Sequence, residues 1–230
     1  MIQRLKRVLL GVAIGFGVLV LIVWILIHTL ADHDRLYHGK SIYDWANQMN
    51  SPVAAVSNES RVVIQTAVIP DLTATMFNDL VDSKVRLALI EQLDMLPGVN
   101  LLFTPAEGRR AIAAASIGSF GPQAQIAIPD LIKALKSNDR AVRGAAAKAL
   151  GDIHCQPETI IPLLTSYLED PQDEVPVAAV EALGEFGSLS RSAIPKMLPL
   201  LKQPDKDLQR ALRIALKQID PEEAAKAGVK

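Results

Sequence analysis

The sequence predicts an all-α protein: a stack of similar helical hairpins preceded by one transmembrane helix. Three observations predict it. Ile128-Pro129, Ile161-Pro162 and Ile194-Pro195 recur at a step of 33 residues, as do Gly118, Gly151 and Gly184, and Leu135, Leu168 and Leu201. A fixed period of this size marks a stacked repeat array. Each period holds two amphipathic segments with apolar residues at helical spacing. Near the N-terminus, Val8 to Ile27 runs for twenty residues without a charge.

Composition agrees. The chain of 230 residues is 50% hydrophobic but only 4% aromatic, which suits an Ala- and Leu-rich helical array. A formal net charge of −1 argues against a nucleic-acid partner, which needs a basic face. The single cysteine, Cys155, excludes an intrachain disulfide and fits any compartment.

In chain order, residues 1–7 form a basic head carrying Arg4, Lys6 and Arg7. Residues 8–30 follow as the transmembrane helix, long enough at about 1.5 Å per residue to cross a hydrocarbon core of roughly 30 Å. Trp24 lies near its outer end, as interfacial aromatics do. A secretory signal is the rival, but its apolar region spans only about 7–15 residues. The basic head places the N-terminus in the cytoplasm and the repeats outside it. The expected location is the inner membrane, with a periplasmic or otherwise extracytoplasmic repeat domain and lipid contact through Val8 to Leu30. Gly11 and Gly15 form a small-xxx-small pair suited to helix packing, although glycine is common in such spans for other reasons.

Residues 31–40 read as a polar tether. His33 and His38, with Asp32 and Asp34, fit no metal-site spacing. Residues 41–103 read as degenerate capping repeats. Ser41 and Asp44 make a capping box, and Asn50-Ser51-Pro52 closes that helix. Trp45 is the expected plug of the N-terminal end; a ligand-stacking role is the alternative. Ile69-Pro70-Asp71-Leu72 echoes Ile128-Pro129-Asp130-Leu131, Val85 to Leu96 reads as the matching second helix, and Leu96 to Asn100 as an insertion.

Residues 104–220 are the regular array. Thr104-Pro105-Ala106-Glu107 restarts a helix with a cap, a first-turn proline and a capping-box acid. First helices repeat Ile128, Leu131, Ile132 and Leu135; second helices repeat Val142, Ala145, Ala146, Ala149, Leu150 and Ile153. Gly118, Gly121, Gly151, Gly184 and Gly187 are expected to end helices in the left-handed region. Pro129, Pro162 and Pro195 either start helices or kink them. Residues 221–230 read as a polar, fraying tail.

The A-L-G-x-[IF] pattern followed by A-x-I-P-x-L-x-x-x-L resembles the short HEAT-like repeats of bacterial, armadillo-type α-solenoids, including those of bilin lyases. The T-P-L-H motif of ankyrin arrays is absent, as is the tetratricopeptide pattern. The G-K-S-x-x-x-W entry at Gly39 to Trp45 is similar to the first segment of membrane-anchored bacterial members. The resemblance implies a right-handed α-solenoid whose second helices line a concave, protein-binding side. It implies no chemistry.

No nucleophile stands beside a base, and no phosphate-cradling loop is present, so the chain is expected to be non-catalytic, without cofactor or metal. His154-Cys155 reads as a turn, with His154 standing where Gly121 and Gly187 stand. The expected function is a membrane-anchored scaffold or accessory subunit of a membrane complex. The alternatives are a chromophore-lyase-like HEAT enzyme and a transmembrane sensor or adaptor. From His154 to Gly187 there are seven acids and no Lys or Arg, between two basic stretches. Either neighbouring repeats attract each other there, or a banded surface sets a partner's register. The candidate binding spot is Val177 and Val180 beside Glu181, read as an exposed apolar patch rimmed by Arg143, Arg210 and Arg213. Gly144, Ala147 and Lys148 hold the matching positions one repeat earlier.

Two measurements check the anchor. A reporter active only outside the cytoplasm, fused after Lys230, is expected to be active. N-terminal sequencing of the mature protein is expected to find Met1 to Arg7 retained; a start at Asp32 would make the domain a secreted one.

Overall fold

A computed structural model describes residues 36–79, 104–170 and 174–229. The head, the apolar span with Gly11 and Gly15, and Val85 to Asn100 lie outside them. Apart from Thr104 and Pro105, the described residues belong to one compact unit.

The unit opens with a small hairpin rather than a tether. β1 (Leu36–Tyr37) pairs antiparallel with β2 (Lys40–Ser41). Its turn is His38-Gly39, with φ of 50° and 79°. Two successive positive φ values give the tight turn that suits strand twist. The hairpin serves α1 (Ile42–Met49), which Ser41 and Asp44 start with a complete capping box. The Ser41 hydroxyl donates to the Asp44 carboxylate at 2.7 Å, and this bond leads in holding that carboxyl below its ordinary pKa. Trp45 is 1% exposed, and its Nε1 donates to the Tyr37 carbonyl at 2.7 Å. The indole therefore fills the end of the core with its polar atom satisfied.

First-layer helices are interrupted where Ile-Pro occurs. A π segment (Ile64–Val68) joins α2 (Ala54–Val63) to α3 (Ile69–Asn78). A 3₁₀ segment (Gly121–Ala127) precedes α5 (Ile128–Ala134), and another (Gly187–Ala193) precedes α9 (Ile194–Leu200). Proline lacks the N–H that would bond back along the helix and its ring crowds the carbonyl four residues earlier, while Ile69, Ile128 and Ile194 before it keep right-handed α angles. The preceding turn therefore tightens or widens, and Pro70, Pro129 and Pro195 stand in the first turn of the next helix. Pro162 differs. It lies inside α7 (Pro157–Ser166), which starts on its own proline.

The second layer is α4 (Ala106–Ser119), α6 (Arg140–Ile153), α8 (Glu174–Glu185) and α10 (Lys206–Ile219), each packed on the next. α4 also packs on α3, and Arg109 holds Asp79 at its end through a 2.6 Å Nε contact. α4 thus takes the second-helix place beside α3, and residues 80–103 fall between the two in sequence. Asp139 and Asp205 cap α6 and α10 through side-chain oxygens that accept two backbone N–H groups each. The C-terminal stretch is an ordered cap. Asp220 starts α11 (Pro221–Lys226), and Ala224 and Val229 are buried.

The glycines divide into two kinds. Gly121 and Gly187 have φ of 55° and 54° and turn the chain, as expected. Their counterpart is His154, a non-glycine at φ 53°, whose ring stacks on Phe186 at 4.9 Å. Gly118 and Gly151 end nothing; they lie inside α4 and α6. A Cβ on Gly118 would stand 2.7 Å from the Ala149 Cα, and one on Gly151 would stand 2.6 Å from the Ala182 Cα. Gly184 in α8 meets Ala215 in the same way, at 3.1 Å. The requirement at these three sites is backbone approach, not a left-handed φ.

Gly151→Ala should therefore destabilise the array by about 1–3 kcal/mol in urea unfolding. Helix propensity alone would favour that alanine by about 1 kcal/mol. A variant that melts higher than the parent would disprove the close approach.

Candidate functional site

The second-layer helices border a groove of about 760 Å³. Its floor is made of small side chains. Ala111 and Ala115 come from α4, Ala141, Gly144 and Ala145 from α6, and Val177 and Ala178 from α8. Its edges carry Ile112, Lys148, Glu181, Asp205, Asp207 and Arg210. Ile112 is 56% exposed. The arrangement is an apolar trough with a charged border.

The border charges are loosely held. Lys148 Nζ stands 3.9 Å from Glu181 Oε2 across α6 and α8, both side chains about half exposed. Arg210 Nη2 lies 3.2 Å from Asp207 Oδ1 within one turn of α10. Exposed pairs of this kind are worth about 0–1 kcal/mol, so these pairs are broken at little cost. Asp205 differs, because its Oδ1 already accepts from Asp207 N at 2.8 Å and Leu208 N at 3.2 Å.

Three of the sequence-predicted residues, Val177, Glu181 and Arg210, border this groove. Three do not. Val180 is fully buried, and it belongs to the core together with Ala147, one step earlier. Arg143 is 7% exposed rather than part of a rim. Its Nη1 donates to the Ser137 carbonyl at 2.8 Å, and its Nη2 stands 3.7 Å from Asp170 Oδ1. Arg213 is exposed but lies outside the groove lining.

One physical fact explains these differences. Positions 114, 147 and 180 face the next second-layer helix and are Ala, Ala and Val, all buried. After α10 the described chain forms the short α11 rather than another second-layer helix, and the matching position is the exposed Arg213. The Gly118, Gly151 and Gly184 series likewise ends in exposed Lys217. That change from small to charged in the last repeat was the available signal that this face is an interface. Ile112, Ala111 and Ala115 were missed because α4 was not counted into the concave row. Stepping back by 33 from Ala145, Gly144 and Lys148 finds them.

The acidic middle repeat meets its basic neighbour at two pairs, Arg143–Asp170 and Lys148–Glu181. Asp152 lies near the same seam. Burial pushes its carboxyl pKa up, opposed by Lys148 and assisted by Glu185 and Glu181. Among the described residues, no group of three or more His, Cys, Asp or Glu is placed to hold a metal. Nor is any described helix long and apolar enough to cross a membrane.

The HEAT-repeat family profile matches residues 100–175 and 161–227, together more than half of the chain. The chain belongs to the HEAT repeats. No curated protein sequence matches it. Among solved structures it is similar to the complex of CpcE and CpcF of phycocyanin lyase from Nostoc sp. PCC7120. That likeness has 21% identity and a TM-score of 0.51, over 84% of this chain and 68% of that one. An engineered protein is also similar, at 19% identity and a TM-score of 0.42, over 82% and 83% of the two chains. At such identity, the lyase likeness speaks for an α-solenoid fold alone.

Two outcomes are expected. Val180→Asp should cost upwards of about 3 kcal/mol, because it buries an unpaired charge. Val177→Asp, on the groove floor, should cost about 1 kcal/mol and keep the helical circular dichroism. Asp152→Asn should raise the melting temperature at pH 7, where the unfavourably buried carboxylate is ionised. A raised folded pKa means that the native state loses stability as pH rises through it. The gain from Asn should therefore vanish as pH falls below the unfolded value near 3.8.

Proposed function

We propose that this HEAT-repeat chain is a non-catalytic scaffold that holds a partner protein in the concave groove of its second-layer helices. The observation that carries this reading is the groove itself. Its floor is small and apolar, and its border charges are paired only loosely. A trough lined by Ala and Gly offers depth rather than bulk, so a partner supplies the large side chains. Val177 anchors the middle of the floor, and Lys148, Glu181 and Arg210 set orientation. The similar lyase structure is itself a complex of two named chains, in keeping with a protein partner for this fold.

The scaffold, in this reading, is tethered to the inner membrane by residues 8–30, with the head in the cytoplasm and the repeats outside it. The support is the twenty-residue uncharged run after Arg4, Lys6 and Arg7. The partner is then an extracytoplasmic protein or a subunit of a membrane complex.

The test is co-purification from mild detergent with the groove altered. Val177→Asp combined with Arg210→Glu should leave melting within about 1 kcal/mol of the parent. The same pair should lose the co-purifying protein. Arg213→Glu, exposed but outside the groove, should keep it. Retention of the partner by the groove variant would move the site off the concave face.

A further inference from the structure

We propose that the N-terminal cap of the solenoid, the β1–β2 hairpin with the start of α1, rests in the interfacial zone of the bilayer and inserts Leu36 and Tyr43. The proposal rests on the membrane anchor at residues 8–30 and goes beyond it by assigning a lipid-facing surface to the folded domain.

Leu36 is 64% exposed and Tyr43 is 74% exposed. They are directed by rigid neighbours. Successive strand residues point to opposite faces. Tyr37 points inward, since its hydroxyl donates to Asp71 Oδ2 at 2.6 Å, so Leu36 points outward. Tyr43 precedes Trp45 by two residues, which is about 200° around a helix. Trp45 is buried against the core, so Tyr43 stands on the side away from it. Both large side chains are thus held out from the core of the domain, in the segment that directly follows residues 31–35 in sequence.

The length of intervening chain says what covers them. The apolar run ends at Leu30, and only residues 31–35 separate it from Leu36. At about 3.3–3.6 Å per residue, the connection reaches roughly 20 Å at most. The headgroup zone takes up about 5–8 Å of that on each side of the core. The hairpin therefore cannot leave the neighbourhood of the membrane surface. A tether this short holds the patch at an effective concentration in the mM range or above, so a weak interfacial affinity suffices. A leucine and a tyrosine with its hydroxyl toward water match the headgroup boundary.

Charge contributes little. Lys40 donates to the Gln48 side chain at 3.0 Å and lies 4.3 Å over the Trp45 ring. Asp44 is held in the capping box. Docking should therefore be equal on zwitterionic and anionic lipid.

The experiment uses the full chain, with Cys155→Ser, in vesicles of phosphatidylcholine with and without phosphatidylglycerol. Single spin labels are placed through Leu36→Cys, Tyr43→Cys, Arg213→Cys and Leu19→Cys. Relaxation by oxygen is compared with relaxation by a water-soluble nickel chelate. Labels at 36 and 43 should show an oxygen-to-nickel accessibility ratio several-fold above that at 213, in both lipid mixtures. A water-like ratio at 36 and 43, with residue 19 in lipid, would overturn the docking and leave the anchor standing. A water-like ratio at 19 would overturn the anchor, and the docking with it. Because 36 and 43 are exposed, both labels should preserve the circular dichroism spectrum.

Discussion

The array depends on a backbone contact made three times. Gly118 on Ala149, Gly151 on Ala182 and Gly184 on Ala215 bring each second-layer helix against the next with almost nothing between them. A single added methyl at Gly151 would overlap a backbone atom. Small residues on both sides of a crossing set the short end of the helix separation range, roughly 8 Å. The spacing of the repeats is thus fixed by what is missing from the side chains. The groove shares that economy: Ala111, Gly144, Ala145 and Ala178 leave a trough where larger residues would have closed it.

Much of this was legible in the sequence, because the period is strict. The Ile-Pro steps, the Leu135, Leu168 and Leu201 series and the capping box at Ser41 all depend on local spacing, and local spacing survives into the fold. What was illegible needed knowledge of neighbours. Val180 looked surplus to a single apolar face. A helix packed between two others and a first layer, however, buries most of its circumference. Gly151 looked like a terminator because glycine often is one; only the position of Ala182 shows that it is a contact. The proline question was settled by phase. Pro129 and Pro195 follow a tightened turn, while Pro162 sits within a helix already started by Pro157.

The buried charges carry a similar lesson. Arg143 lies on the same helix face as residues that pack, and its partners, Ser137 and Asp170, come from the turns that flank the helices. Arg110 reaches Asp139 at 2.8 Å one repeat earlier. These arginines tie a second-layer helix of one hairpin to the turn inside the next, between its first-layer and second-layer helices. They are engaged in holding the stack together. The exposed Lys148 and Arg210 remain available, and they border the groove.

The two layers also differ mechanically. The inner helices α4, α6 and α10 run unbroken for 14 residues each. Among the described residues, outer-layer helices are interrupted or ended by π or 3₁₀ turns, whose hydrogen bonds are poorer and yield sooner. An array built this way is a leaf spring with a stiff inner leaf and a jointed outer one. Pulled by its ends, it would lengthen along the outer leaf while the inner leaf kept its pitch.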